Sequence, residues 1–172
     1  KDRNSLLRKS CDALIDARGY DAVWLSLFED GTRFITVVGS GLPEDVSRFS
    51  RLMISEDKSP CIKDALASEE TVLILDKSRE CKDCLFKDAC RGRESVIIRV
   101  EHASRFFGLL VVLLAPDVAV DDEEKSLLAE VASDIAIGLH DMEITGILRE
   151  RERIVRKQNE MLMGLAKCKE LY

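Results

Sequence analysis

An α+β fold built on an antiparallel sheet is what this sequence predicts, and three observations predict it. Two pairs of segments rich in β-branched and aromatic residues are each joined by a short polar connection. Apolar positions recur at helical spacing at both ends of the chain, while its middle is punctuated by glycine and proline. With 172 residues and 46% hydrophobic content, the chain can fill one core and an extension, not two full domains.

The elements follow in order. From Ser5 to Ala17, Leu6, Leu7, Cys11, Leu14 and Ile15 fall on one helical face, and Gly19 stands where a helix-ending glycine belongs. Ala22 to Phe28 and Arg33 to Val38 read as a hairpin around Glu29-Asp30-Gly31, whose Asp-Gly step favours a tight reversal. The stretch from Gly39 to Ser59 is irregular. Ser59-Pro60 opens a helix through Ala67, because proline at a first-turn position gives up an N–H that the helix does not use. Val72 to Leu75 is a short buried strand, and a cysteine-rich loop with a short helix comes next. Glu94 to Val100 and Arg105 to Ala115 form the last hairpin, joined through Glu101 to Ser104.

Asp121 followed by Glu124 has the form of a capping box, after which Leu128, Val131, Ala132, Ile135, Leu139 and Met142 share one helical face. Beyond it, Ile147, Ile154, Met161 and Cys168 fall seven residues apart, with Leu165 and Tyr172 on the neighbouring seam, the pattern of a coiled coil. Thr145-Gly146 interrupts the phase, since glycine costs about 1 kcal/mol in a helix interior. The expected boundary therefore separates a domain over residues 1–144 from a helical linker over 145–172.

Composition excludes several classes. Thirty-two acidic against 26 basic residues leave a formal charge of -6, which opposes tight binding to a phosphate backbone. The basic run from Arg149 to Lys157 is interleaved with Glu150, Glu152 and Glu160, as on the solvated face of a paired helix. The longest apolar run, Phe106 to Ala115, is far short of the roughly 20 residues needed to span a membrane, and no signal-peptide pattern opens the chain. A cytoplasmic protein is expected. Its start at Lys1 and its end within a helical pattern at Tyr172 suggest a piece of a longer polypeptide. Gly-rich phosphate loops, H-E-x-x-H and G-x-S-x-G are absent, and His102 and His140 are the only histidines, so no catalytic residues and no enzymatic activity are expected.

The order of elements resembles the GAF domain, a small-molecule sensing module of signal-transduction proteins. Phe106-Phe107-Gly108-Leu109-Leu110-Val111-Val112 is similar to its penultimate "G-x-L" strand, and Asp121 to Glu124 running into Leu127-Leu128 is similar to the acidic start of its last helix. Ala132 to Leu139 resembles the small-residue face that packs on the sheet, often in dimers. The resemblance covers about Ser5 to Met142. It implies a central antiparallel sheet with the first and last helices on one face and loops and short helices forming a ligand pocket on the other, walled by Gly39 to Arg93. The patterns of cyclic-nucleotide-binding and bilin-bearing members are absent, which argues against both ligands.

Within that segment, Phe49, Met53, Cys61 and Phe86 are the candidate pocket residues, apolar side chains in irregular backbone that either cap a core or line a cavity. Trp24 is assigned to the core. Cys81-Lys82-Asp83-Cys84, with Cys90 five intervening residues later, offers soft thiolates to zinc or an iron–sulfur centre, with Cys61 as the candidate fourth ligand and His102 as a lesser one. Reversible disulfide formation by the same thiols is a second reading, and thiols that merely fill space under a loop are a third.

The function expected is a sensory module of a signalling protein, such as a two-component sensor kinase. It would bind a small molecule, dimerise through its terminal helices and pass its state to an output domain in the same chain. The rivals are a metal or thiol redox sensor on the same fold, and a ligand-free dimerising spacer.

Overall fold

A computed structural model describes residues 3–29, 31, 33–41, 50, 51, 60–75, 87–90, 92–116 and 118–169. Helix α1 (Arg3–Arg18) leads to strands β1 (Ala22–Glu29) and β2 (Arg33–Ser40). Helix α2 (Pro60–Ala67), strand β3 (Val72–Leu75) and the single turn α3 (Lys87–Cys90) follow, then β4 (Ser95–His102), β5 (Arg105–Leu113) and the long helix α4 (Asp122–Lys169). The chain divides into two units, Lys1–Ala136 and Ile137–Tyr172.

The five strands form one antiparallel sheet in the order β2-β1-β5-β4-β3. Strands β1 and β5 are therefore central, and their sequences show it: seven of eight residues in β1 and seven of nine in β5 are buried, with no polar alternation. Successive side chains still point to opposite faces. Val23, Leu25 and Leu27 look to one side with Val96, Ile98, Leu110 and Val112; Ala22, Trp24 and Phe28 look to the other with Ile97, Leu109, Val111 and Leu113.

The first of these faces carries the terminal helices. Helix α1 lies on β1 and β2 and buries Leu7, Cys11 and Leu14. The start of α4 buries Leu128, Ala132 and Ala136, spaced four apart as one helical stripe requires. Asp121 Oδ1 accepts from the Glu124 N–H at 2.7 Å, so the first half of the capping box is formed. The Glu124 carboxylate is used elsewhere, accepting from Arg18 at the end of α1 and from the Tyr20 hydroxyl. One acidic residue thus pins the last turn of α1 to the first turn of α4. Helix α4 is continuous through Thr145 and Gly146 to Lys169.

Two local details depart from the sequence reading. β2 runs on to Ser40, past the expected end at Val38, because Gly39 pairs with Trp24 where a Cβ would come within 2.4 Å of the Trp24 Cβ; the missing side chain lets the strand continue beside a bulky neighbour. The β4–β5 turn is made by Ala103 and Ser104 at φ 49° and 63°, positive values at both central positions that suit the twist of a two-residue hairpin. Neither residue is the asparagine or glycine that usually signals it.

Gly108 stands opposite Leu27, and a Cβ there would meet the Ser26 carbonyl oxygen at 2.1 Å. Backbone cannot yield as a side-chain tip can. Gly108→Ala is expected to cost about 2–3 kcal/mol in urea unfolding, whereas Gly138→Ala, in open space on α4, should be neutral or stabilising by up to about 1 kcal/mol.

Burial pushes the Cys11 thiol up to about 12, with Asp12 adding to the shift and Arg8 opposing it. The neutral thiol is the form the folded state favours. Its contribution should be complete below the ordinary value of 9.0 and be lost as pH rises from there towards 12. Cys11→Ala should flatten the alkaline fall in the urea midpoint, and the native thiol should resist alkylation at pH 8.

Candidate functional site

The face opposite the terminal helices is built differently. Ala22, Trp24, Phe28, Phe34, Val37, Ile97, Leu109, Val111 and Leu113 form a buried apolar floor, and Ile62 and Ala65 of α2 close over it. Helix α2 is short enough to expose Lys63 and Asp64 while keeping Ile62 and Ala65, three apart, inward.

Cross-strand pairing sets the polar groups into this floor. Val37, Ser26, Leu109 and Arg99 form one row across four strands, beside the row Gly39, Trp24, Val111, Ile97 and Leu73. Ser26 is fully buried, and its Oγ makes no hydrogen bond among the described residues. A hydroxyl left so costs roughly 1–3 kcal/mol, which a ligand's polar atom or a water would recover.

Arg99 is the second polar member. Its guanidinium donates to the carbonyls of Ala65 and Ser68 at 3.2 Å each, satisfying the last turn of α2, and to Glu101 at 3.1 Å. It also lies 4.6 Å from the centroid of the Phe106 ring. Phe106 continues into an aromatic group, with Phe28 at 5.9 Å and Phe34 a further 5.9 Å on in an edge-to-face contact. A planar, permanently charged fork can hold two carbonyls and stack on a ring together; an ammonium cannot.

Two of the cysteines singled out in the sequence reach this side. Cys61 on α2 and Cys90 at the end of α3 are 29 positions apart, half-buried, and both pack against the same apolar cluster. The other candidates, Phe49, Met53, Cys81, Cys84 and Phe86, lie outside the described residues. Trp24 is buried in the floor, His102 is the last residue of β4 and His140 lies on α4.

Ser26 and Arg99 were missed by sequence reasoning, though each carried a signal. Ser26 is the single hydroxyl in the apolar run Ala22 to Phe28, and its even spacing from Trp24 and Phe28 assigns it to their face. Arg99 is a charge inside the otherwise apolar stretch Val96 to Val100. A separate recess of about 480 Å³ at the β1–β2 end is lined by Arg3, Glu29, Arg33, Phe34 and Ile35. It is open, and its charges pair between Arg33 and Glu29.

Comparisons with known proteins bear on this arrangement. A family model described as GAF domain matches residues 2–139. The chain is similar to the GAF domain/HD domain protein of Geobacter sulfurreducens, at 17% identity and a TM-score of 0.63, covering 83% of this chain and 95% of that one. It is similar to GAF3 of Slr1393 from Synechocystis in its photoproduct state, at 13% identity and a TM-score of 0.63, over 86% and 99% of the two chains. It is also similar to the type II free methionine-R-sulfoxide reductase of Thermoplasma acidophilum, at 17% identity and a TM-score of 0.59, over 81% and 92%. No curated protein matches the chain by sequence.

Replacing Arg99 tests how firmly this side is held. Arg99→Lys keeps the charge and loses the fork, and is expected to cost about 1.5–3 kcal/mol in urea unfolding. Faster hydrogen exchange should be confined to α2 and its junction with β3.

Proposed function

The chain belongs to the GAF domain family, and on that premise we propose that it is a regulatory sensory module of a cytoplasmic signalling protein, one that binds a small molecule over the Trp24–Ser26 side of its sheet and reports its occupancy through its terminal helices. The observation that carries this reading is the fully buried Ser26 hydroxyl, which lacks a hydrogen-bond partner among the described residues and sits in an apolar floor beneath α2. Apolar surroundings with a few placed polar groups are the usual make-up of a small-molecule site.

The two faces share the same strands. Leu25 and Leu27 meet the helical layer while Trp24 and Ser26 meet the opposite one, so a shift of β1 is felt on both sides. A ligand transmits only by the ratio of its affinities for two arrangements of the protein, which makes signalling a population shift. The partners in this reading are a second copy of the chain, paired through the terminal helices in a coiled coil, and an output domain beyond the linker over 145–172, of the kind two-component systems use. Binding, not catalysis, is the activity proposed; the reductase on the same fold is the reminder that this scaffold can hold an enzyme.

Screening small metabolites by thermal shift should reveal a compound that raises the Tm by several degrees. Ser26→Ala should weaken that compound about 5- to 10-fold, the worth of one hydrogen bond. A binder indifferent to Ser26→Ala and lost on Arg33→Ala would move the site to the open recess.

A second reading has its own observation: Cys61 and Cys90, distant in sequence, pack on one cluster, and Cys81-x-x-Cys84 lies between them in the chain. In this reading the four thiols hold zinc or an iron–sulfur centre, or exchange a disulfide. Metal analysis and an absorption spectrum of anaerobically purified protein decide it. Cys81→Ser with Cys84→Ser should then abolish the bound metal, and metal-free wild-type protein without thiol-linked change would end the proposal.

A further inference from the structure

Among the described side chains of α4, every one beyond Met142 is exposed. Nine of them are large and apolar: Ile144, Ile147, Leu148, Ile154, Val155, Met161, Leu162, Met163 and Leu165, each between 45% and 69% exposed. All but Met163 follow one pattern. Ile144, Arg151, Gln158 and Leu165 form a column at seven-residue intervals, flanked on one side by Ile147, Ile154 and Met161 and on the other by Leu148, Val155 and Leu162.

The column therefore belongs to two heptad seams at once. Taken with Ile147, Ile154 and Met161 it occupies a positions; taken with Leu148, Val155 and Leu162 it occupies d positions. Each seam has three apolar flanking residues and shares the same two polar layers, so neither holds a decisive advantage. Passing between them turns each helix by about 50°, one seventh of a turn.

We propose that this stripe is covered by a second copy of the chain in parallel, and that the pair interconverts between these two seams. The inference rests on the reading of α4 as the paired output helix and gives that output its two states. Two arguments favour a second copy as the occupant. With about 100 Å² exposed on each large apolar side chain, the five in either seam offer on the order of 1,000 Å² from two chains together, the threshold of a specific interface. The charges also fit. An a-position side chain packs beside a partner g residue and a d-position side chain beside a partner e residue. Arg151 thus meets Glu150 of the partner subunit in the first seam and Glu152 of the partner subunit in the second. A carboxylate flanks the buried guanidinium either way, which a charge in a seam requires. Within one chain Glu150 is held by Arg153 at 2.6 and 2.8 Å, so the first seam draws on a residue already engaged and the second does not.

Cysteine cross-linking of the full chain, read by peptide mass spectrometry, tests this. Ile147→Cys and Leu148→Cys should both give interchain disulfides, with yields within about threefold of each other, and Arg149→Cys on the outer face should give none. Cross-linking at only one of the two positions overturns the two-seam proposal. Sedimentation supplies a check free of added thiols. Ile147→Lys with Ile154→Lys should remain dimeric through the second seam, Leu148→Lys with Val155→Lys through the first, and all four together should be monomeric. If either double variant alone is monomeric there is one seam, and the inference fails. A monomeric wild-type chain would instead sink the paired-helix reading beneath it, while ligand affinity lost on Ser26→Ala would be untouched by any of these results.

Discussion

Strands β1 and β5 are buried on both faces, and everything else in the molecule answers to that. A strand with two buried faces needs a cover on each side, and its backbone groups must all be paired within the sheet. The antiparallel neighbours β2 and β4 supply the pairing, and close contact at Gly108 lets β5 approach β1 at a place where any side chain would strike the Ser26 carbonyl. The family's glycine in this strand thus has a steric reason here.

The two covers differ in kind. On one side α1 and the start of α4 are long, amphipathic and tied together by Glu124, which accepts from both Arg18 and Tyr20. On the other, α2 is two turns long and depends on a strand residue, Arg99, to satisfy its last carbonyls. A short helix and a borrowed cap are the features of a region that opens at low cost, the property a ligand-binding layer needs. The buried hydroxyl of Ser26 belongs to this face of the sheet, between Val37 and Leu109, and not to the face that α1 covers.

Past Met142 the character of the chain changes from half-buried to exposed, although the helix does not break. An exposed stripe of isoleucine, leucine, valine and methionine on a charged helix is stable in water chiefly when another surface covers it.

The strands were legible in the sequence as runs of β-branched and aromatic residues bounded by turn signals, and the terminal helices and the helical stripe by local periodicity, 3.6 in α1 and seven from Ile147 on. The GAF resemblance rested on the same order of elements and on Gly108, and the family match supports it. Other features were decided only by tertiary structure. The extension of β2 to Ser40 depends on Gly39 lying against Trp24, 15 residues away. Ala103 and Ser104 adopt positive φ because the twist of the paired strands demands it, against their own preference. The row that sets Ser26 beside Leu109 and Arg99, and the meeting of Cys61 with Cys90 on one cluster, come from strand order and register. Local sequence fixes which way a side chain points along its own strand, but long-range pairing alone selects its neighbours, and a site is made of neighbours.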